Sequence, residues 1–192
     1  MIHFISDTHF DHKKIIELAN RPFTSCEEMN EHIIQEWNKR VRKGDIVFHL
    51  GDFAFTANKG GEERLEKLKR SLHGEIRLLI GNHDDRRLLE KVFGPIWMPR
   101  GLWRVRHAEE RIVICHYALR TWEGQHYGAW HLFGHSHGSL EPFGRSVDVG
   151  VDAHFIDSSR VWGAPYSFEE IEAYMKDRNI AVPDRHQLAS RR

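Results

Sequence analysis

Five short polar motifs recur along this chain, and each follows an apolar run typical of a buried β-strand. In chain order they are Asp7-Thr8-His9, Gly51-Asp52, Gly81-Asn82-His83-Asp84, Cys115-His116 and Gly134-His135-Ser136-His137. In layered α/β folds, binding sites lie in the loops beyond the carboxyl ends of the strands. The chain must therefore fold so that five strand ends meet, and the side chains at those ends are of the kinds that hold metal ions.

The apolar runs alternate with helical patterns in the first half of the chain and follow one another in the second half. The predicted strands are Ile2–Ser6, Ile46–Leu50, Ile76–Ile80, Leu102–His107, Arg111–Cys115, Trp130–Phe133 and Ser146–Val149. Helices are predicted over Lys13–Ala19, after the Ser25/Glu28 capping box, around Leu65, Leu68 and Leu72, over Asp85–Val92, and after the Ser167/Glu170 capping box. This order predicts a layered α/β (α+β) protein with a mixed sheet system.

Length and composition limit the class of protein further. The 192 residues are expected to form a single domain over residues 1–192, with a loose tail after about residue 179. Lys plus Arg and Asp plus Glu are both 28, so the formal net charge of zero argues against a general polyanion binder. The two cysteines, Cys26 and Cys115, form no disulfide framework, and neither a signal peptide nor a membrane span is predicted. A soluble, cytoplasmic protein is expected.

The residue types in the motifs are suited to cation binding. An Asp-x-His or His-x-His pattern after a strand sends both side chains to one face, because strand side chains alternate with period two. A carboxylate such as Asp52 has two oxygens and can bridge two cations, while Asn82 offers a neutral carbonyl oxygen. Taken singly, Asp7 and Asn82 also suit turns or helix caps, and His116 also suits a hydrogen-bonded core position. The ordered set of five motifs favours a metal centre.

The same blocks resemble the calcineurin-like metallophosphoesterase superfamily, whose pattern is D-x-H, GD, GNH(D/E), H and GHxH. All five blocks occur here in that order between Asp7 and His137. The chain is more narrowly similar to a small bacterial and phage branch that carries Asp-Thr-His-Phe-x-His, Arg-Pro-Phe, His-Leu-Gly-Asp, His-Tyr-x-Leu-Arg-x-Trp and Gly-His-Ser-His-Gly. The resemblance implies a four-layer αββα sandwich with mixed sheets and a dinuclear metal site at the strand ends.

The resemblance also implies residue roles. One ion would be held by Asp7, His9, Asp52 and His137, and the second by Asp52, Asn82, His116 and His135. Asp52 is then the bridging ligand. His83 is not a ligand and would face the leaving-group oxygen as a cation or general acid. Asp84 either orients a neighbouring group or caps the next helix, and the cap is the preferred interpretation.

Mixed imidazole and carboxylate ligands favour transition metals over Mg²⁺ and Ca²⁺. Mn²⁺ is the first choice, and Fe, Zn, Co and Ni are also compatible. Two ions about 4 Å apart would lower the pKa of a bridging water and neutralise phosphate oxygens. The bridging hydroxide would attack phosphorus, and His83 would protonate the leaving oxygen.

The second block departs from that of the Ser/Thr phosphoprotein phosphatases, which read Gly-Asp-x-x-Asp-Arg-Gly. Here it reads Gly51-Asp52-Phe53-Ala54-Phe55-Thr56, so the phosphate-binding Arg and its neighbouring Asp are replaced. Other residues must contact the substrate, and His12, Arg21 and Arg120 are the candidates, each with an ordinary surface role or a salt bridge as the alternative. Three further residues suit either base stacking or, preferably, packing at the rim: Trp122, His126 and Tyr127. His49 and His131 suit either support of the metal ligands or, preferably, a plain core position.

The sequence therefore predicts a dinuclear-metal-dependent phosphodiesterase acting on a nucleotide or nucleic-acid-like ester, with no membrane partner. A phosphomonoesterase of the same mechanism is the alternative. A metal-binding scaffold without catalysis is disfavoured, because every ligand position and His83 carry competent residues. The sequence does not define the oligomeric state.

Overall fold

A computed structural model describes residues 1–56, 60–94 and 101–181. Most of the tail that the sequence predicts to be loose, residues 182–192, lies outside these ranges. The secondary structure alternates strand and helix up to Phe93 and then consists mainly of strands, as predicted.

The first sheet has the strand order β3-β2-β1-β8. Its strands are β1 (Ile2–Ile5), β2 (Ile46–His49), β3 (Glu75–Leu78) and β8 (Tyr166–Ser167). Strands β1, β2 and β3 are parallel, and β8 pairs antiparallel with β1. The sequence pattern did not predict β8, because two residues are too few to show a strand periodicity.

The second sheet has the strand order β4-β5-β6-β7. Its strands are β4 (Leu102–His107), β5 (Glu110–Cys115), β6 (Trp130–Phe133) and β7 (Ser146–Asp148). Strands β4 and β5 pair antiparallel, and β5, β6 and β7 are parallel. Both sheets are thus mixed, with parallel strands whose carboxyl ends carry the five motifs.

Five α-helices are present in the described ranges. They are α1 (Lys13–Leu18), α2 (Cys26–Arg40), α3 (Gly61–Ser71), α4 (Arg86–Phe93) and α5 (Phe168–Lys176). The Ser167/Glu170 capping box before α5 is complete. Before α2, Ser25 accepts the Glu28 N–H, but the Glu28 carboxylate binds the backbone and hydroxyl of Thr24 instead of closing the box.

Two apolar clusters show how the layers pack. One joins α2, α3 and α4 to the first sheet, with Trp37 and Leu65 among its buried members. The other lies between the two sheets and includes Phe4 and Phe48 from the first sheet and Leu132 from the second. Helix α5 contributes to the inter-sheet cluster, and a short 3-10 helix, Gln125–Tyr127, follows Trp122 near the second sheet. The predicted α/β fold with two mixed sheets is confirmed.

The fold brings the strand-end loops together through backbone hydrogen bonds. Asp7 donates its N–H to the Gly51 carbonyl, and His9 donates to the Asp52 carbonyl, each at 3.0 Å. Gly134 donates to the His116 carbonyl at the same distance. Within the described residues, no helix combines the length and apolar character that a membrane span needs.

Candidate metal centre

Six of the predicted ligands form two compact groups. Asp7, His9 and His137 make the first group, and Asp52, His116 and His135 make the second. In each group, one potential ligand atom per residue lies within 4.8 Å of the others. The division matches the two predicted coordination spheres, although the ligand roles themselves stay predictions.

Asp52 lies between the two groups. Its Oδ2 atom is 3.5 Å from His9 Nε2 and also 3.5 Å from His116 Nε2. Its Oδ1 atom accepts the backbone N–H of His83 at 2.8 Å, which fixes the carboxylate. Asn82 Oδ1 lies 3.0 Å from His116 Nε2, beside the second group. One carboxylate oxygen is thus placed to serve both groups.

The ligand loops are built from strained backbone. Asp7, His9, Asp52, His135 and His137 have φ angles of 58°, 49°, 54°, 66° and 48°. This left-handed region is unfavourable for residues with a Cβ, at a cost of about 1–3 kcal/mol each, and such residues cluster at functional sites. The fold therefore keeps these five residues in a backbone conformation that is locally unfavourable.

Two motif glycines allow the loops to approach so closely. A Cβ on Gly81 would lie 2.1 Å from Asp52 Oδ1, and one on Gly134 would lie 2.4 Å from Asp7 Oδ2. Both distances are far below van der Waals contact, so any side chain would displace a carboxylate. These two glycines, each the first residue of its motif, are needed because the carboxylates pack directly against them.

The buried polar atoms of the first group suit a cation. Burial, reinforced by nearby Asp148, raises the pKa of Asp7 to about 7. Burial also lowers the pKa of His9 to about 2, so its imidazole is neutral, and its buried Nε2 makes no hydrogen bond. A cation beside these atoms would stabilise the ionised carboxylate and use the imidazole lone pair. The donor set therefore fits divalent transition-metal ions.

Two fully buried histidines, His49 and His131, occupy core positions, the interpretation preferred from the sequence, and hydrogen-bond to residues of the strand-end loops. Thr8 donates its hydroxyl proton to the Phe53 carbonyl, so His49 Nε2–H donates to Thr8 Oγ1 at 2.9 Å, and His49 Nδ1 accepts from Gly51. His131 accepts the Leu119 N–H and donates to the Val113 carbonyl. Burial lowers the pKa of His49 to about 3 and that of His131 to about 4. Both imidazoles are therefore neutral, and their hydrogen bonds hold the loop residues in place.

Asp84 is not the helix cap that the sequence favoured. The N-cap of α4 is Asp85, whose side chain accepts the N–H groups of Arg87 and Leu88. The Asp84 carboxylate instead accepts the backbone N–H groups of Asp52, Phe53 and Gly81, each at 2.8 Å. Burial raises the pKa of Asp84 to about 6. Asp84 therefore joins the Asp52 loop to the Gly81 loop, which is the other role considered from the sequence.

Replacing Asp84 by Asn is expected to lower the free energy of unfolding of the metal-free protein by about 2 kcal/mol, because an amide NH₂ group would face a backbone donor and leave buried N–H groups unpaired. Chemical denaturation after chelator treatment measures this loss. The matched control is Asp85→Asn, which keeps a good N-cap and is expected to leave the stability unchanged. Equal stability of both variants and the wild type would contradict the bracing role.

The three predicted substrate contacts occupy different settings. His12 is buried beside the centre, with its ring stacked on Phe55 and its Nδ1 3.1 Å from His9 Nδ1. Arg120 is exposed on the loop after β5. Arg21 is buried, and its guanidinium donates to Asp152 and to the carbonyls of Asp7 and Thr8. The structure thus assigns Arg21 to internal contacts, which contradicts a substrate-contact role.

His83 is exposed, as a residue that meets substrate must be. Its ring centroid lies 5.3 Å from that of His9 and 5.6 Å from that of His12. Trp122, in contrast, is buried and donates its indole N–H to the Ala129 carbonyl, so it packs against the second sheet rather than stacking on a base. Tyr127 is 71% exposed.

Two carboxylates of the site were missed by the sequence reasoning. Asp148 accepts the Ser136 hydroxyl at 2.6 Å and the Gly138 N–H, and Asp152 accepts from His137 Nδ1. Both follow or end β7, the strand next to β6 in the parallel part of the second sheet. The Asp-Val-Gly-Val-Asp pattern at a strand end is the sequence signal that could have indicated these two carboxylates.

The sequence of this chain is similar to those of known proteins. The chain is 33% identical over 158 residues to uncharacterized protein MJ1445 of Methanocaldococcus jannaschii, which covers 79% of this chain and 81% of that protein. It is 33% identical over 99 residues to the gene 66 protein of Mycobacterium phage L5, covering 50% and 47%. No family model that was compared with the chain matches it.

The fold is shared with a solved structure. A protein of unknown function from Aquifex aeolicus, AQ665, superposes with a TM-score of 0.66 at 24% identity, over 90% of this chain and 98% of that chain. Yfce, a phosphoesterase from E. coli, gives a TM-score of 0.46 at 16% identity over 79% of both chains.

The chain belongs to one family with protein MJ1445, to which it is 33% identical over 81% of that protein's length. The two mixed sheets and the paired Asp/His groups at their strand ends agree with the fold and the metal site that the resemblance to calcineurin-like metallophosphoesterases implies.

Proposed function

We propose that this chain is a metal-dependent phosphoesterase that hydrolyses a phosphodiester of the nucleotide or nucleic-acid type. The observation that carries the proposal is the position of Asp52 Oδ2, which lies 3.5 Å from the Nε2 atoms of both His9 and His116. A carboxylate shared in this way joins two ligand groups into one dinuclear centre, the arrangement used to cleave phosphate esters.

The groups that would hold the ions are the two described above, with Asn82 added to the second. When bound, two divalent ions supply a water that ionises near neutral pH and positive charge for the phosphate oxygens. Mn²⁺ is the proposed activating ion, because imidazole and carboxylate ligands suit it and Fe, Zn, Co or Ni better than Mg²⁺ or Ca²⁺.

His12 is proposed to donate a hydrogen bond to the substrate phosphate. If His9 offers the lone pair of Nε2 to the centre, its proton resides on Nδ1 and is donated to His12 Nδ1, 3.1 Å away. His12 must then carry its own proton on Nε2. Burial, together with the neighbouring His83, lowers the pKa of His12, so it acts as a neutral donor. Exposed Arg120 stays a candidate contact for a more distant part of the substrate.

His83 is proposed to protonate the leaving oxygen. Its backbone N–H is fixed on Asp52 Oδ1, while its side chain is exposed beside His9 and His12. An imidazole in this position can pass its ring proton to the alkoxide that forms when the P–O bond breaks. Such proton transfer and the positioning of the phosphate are the contributions that this chain's own side chains make.

The test compares bis-p-nitrophenyl phosphate with p-nitrophenyl phosphate at matched Mn²⁺ concentration. We expect hydrolysis that depends on added Mn²⁺ and is lost after chelation, with a higher kcat/KM for the diester. Faster cleavage of the monoester would favour the phosphomonoesterase alternative. Two bound ions without hydrolysis of either ester would favour the catalytically silent scaffold.

A further inference from the structure

Arg21 connects two parts of the first ligand group that are far apart in the sequence. Its side chain is fully buried, and its Nη2 donates to the Asp7 carbonyl at 2.7 Å while Nη1 donates to the Thr8 carbonyl at 3.0 Å. The same guanidinium donates to both carboxylate oxygens of Asp152, from Nε at 3.1 Å and from Nη2 at 2.8 Å. One side chain therefore fixes the Asp7–Thr8 backbone relative to Asp152.

Asp152 in turn holds a predicted metal ligand. Its Oδ2 accepts a hydrogen bond from His137 Nδ1–H at 2.7 Å, which directs the opposite nitrogen, Nε2, away from the carboxylate. The indole N–H of Trp162 donates to the other oxygen, Oδ1, at 3.2 Å. The carboxylate is thus held from three sides, and its contact with His137 sets both the ring orientation and the tautomer.

The loop that carries Asp152 is itself anchored. Buried Arg160 donates to the carbonyls of Gly150, Val151 and Ala153 at 3.1, 3.0 and 2.9 Å. Val151 donates its N–H to the Ser6 carbonyl at 3.1 Å, next to Asp7. The position of Asp152 is therefore set by the scaffold and does not depend on the ligands alone.

The second ligand group has a different kind of support. His116 Nδ1 donates to the backbone carbonyl of Leu50 at 2.9 Å, a neutral acceptor. A carboxylate polarises an imidazole more strongly than a carbonyl does, and so makes it a better metal ligand. Among the predicted histidine ligands, all of which the structure describes, His137 of the first group is the one whose Nδ1 donates to a carboxylate.

We propose that Arg21 and Asp152 are a positioning pair that orients His137 and the Asp7–Thr8 backbone, and that they support ion binding at the first group selectively. Neither residue is a substrate contact. The inference rests on the metal-binding part of the proposed function and adds residues outside the five motifs.

The experiment measures Mn²⁺ binding by titration calorimetry in two single-site backgrounds. His135→Ala leaves the first group intact, and His9→Ala leaves the second. We expect Asp152→Asn to weaken Mn²⁺ binding about 10- to 100-fold in the His135→Ala background and to leave it unchanged in the His9→Ala background. Arg21→Gln is expected to act in the same direction as Asp152→Asn.

The control is Arg40→Gln, which removes a partly exposed ion pair in which Arg40 Nη1 donates to both carboxylate oxygens of Glu170. Neither residue belongs to a ligand group, so the change is expected to alter neither affinity. If Asp152→Asn does not fold, Trp162→Phe removes one hydrogen bond to the carboxylate and should weaken only the first group, by a smaller factor. Equal weakening in both backgrounds, or in neither, would overturn the selective role. A wild-type protein that binds no Mn²⁺ would overturn the proposed function as well, whereas one that binds two ions unaffected by Asp152→Asn overturns this inference alone.

Discussion

Replacing Asp52 by Asn is expected to lower kcat/KM for a phosphodiester by at least about 100-fold, because the residue proposed to serve both ions would lose its charge. The amide keeps the size of the side chain and one oxygen that can accept the His83 N–H. The loss should therefore come from the weakened metal centre and not from collapse of the loop. Steady-state kinetics at saturating Mn²⁺, with bound metal measured on the same samples, would test this.

Asp11→Asn is the matched control for that experiment. Asp11 also has a left-handed backbone, with φ of 63° against 54° for Asp52, and its carboxylate pairs with Arg64 outside the two groups. We expect the Asp11 variant to keep its metals and its activity. An Asp52→Asn protein that retained full activity would rule out the dinuclear account.

Replacing His83 by Ala is expected to slow cleavage of a dinucleotide diester by about 100- to 10,000-fold, the usual range for loss of a general acid. Cleavage of bis-p-nitrophenyl phosphate should fall much less, because its leaving group is stable as an anion and needs no proton. Metal content should be unchanged, since His83 lies outside both ligand groups. Parallel kinetics on the two esters give the measurement.

The control for His83 is His154→Ala, which alters another exposed histidine and should leave both rates unchanged. An equal loss on both esters would point to a positioning role for His83 and against proton donation. Loss of bound metal in His83→Ala would instead make His83 a ligand, contrary to its predicted role.

The ligand set could be predicted from sequence because each ligand lies within four residues of a strand end. Asp7, Asp52, Asn82, His116 and His135 follow β1, β2, β3, β5 and β6 in turn. The parallel order of those strands brings their carboxyl ends to one edge. Local pattern and topology predicted that these side chains lie at one site, while their division into two groups was implied by the family resemblance.

The roles of Asp84 and Asp85 show where local pattern fails. Both precede α4, and either carboxylate suits an N-cap. The choice depends on the backbone N–H groups of Asp52 and Phe53, about thirty positions earlier, which the Asp84 carboxylate reaches only in the folded chain. No local propensity encodes such a contact.

Arg21 is a similar case over a longer separation. Its partner Asp152 is 131 positions away, so a sequence motif could not distinguish an internal clamp from a substrate contact. Burial decides between them, because a guanidinium with 0% side-chain exposure and four acceptors has no face toward the substrate.

The central claim is that Asp52 joins two metal sites into one centre, and metal stoichiometry tests it most directly. Chelator-treated wild-type protein is dialysed against Mn²⁺, and bound metal is counted by elemental analysis beside Asp52→Asn. The account predicts two Mn²⁺ per wild-type chain and a clear loss of bound metal in the variant. One ion or none in the wild type, or two ions retained by Asp52→Asn with unchanged affinity, would contradict it.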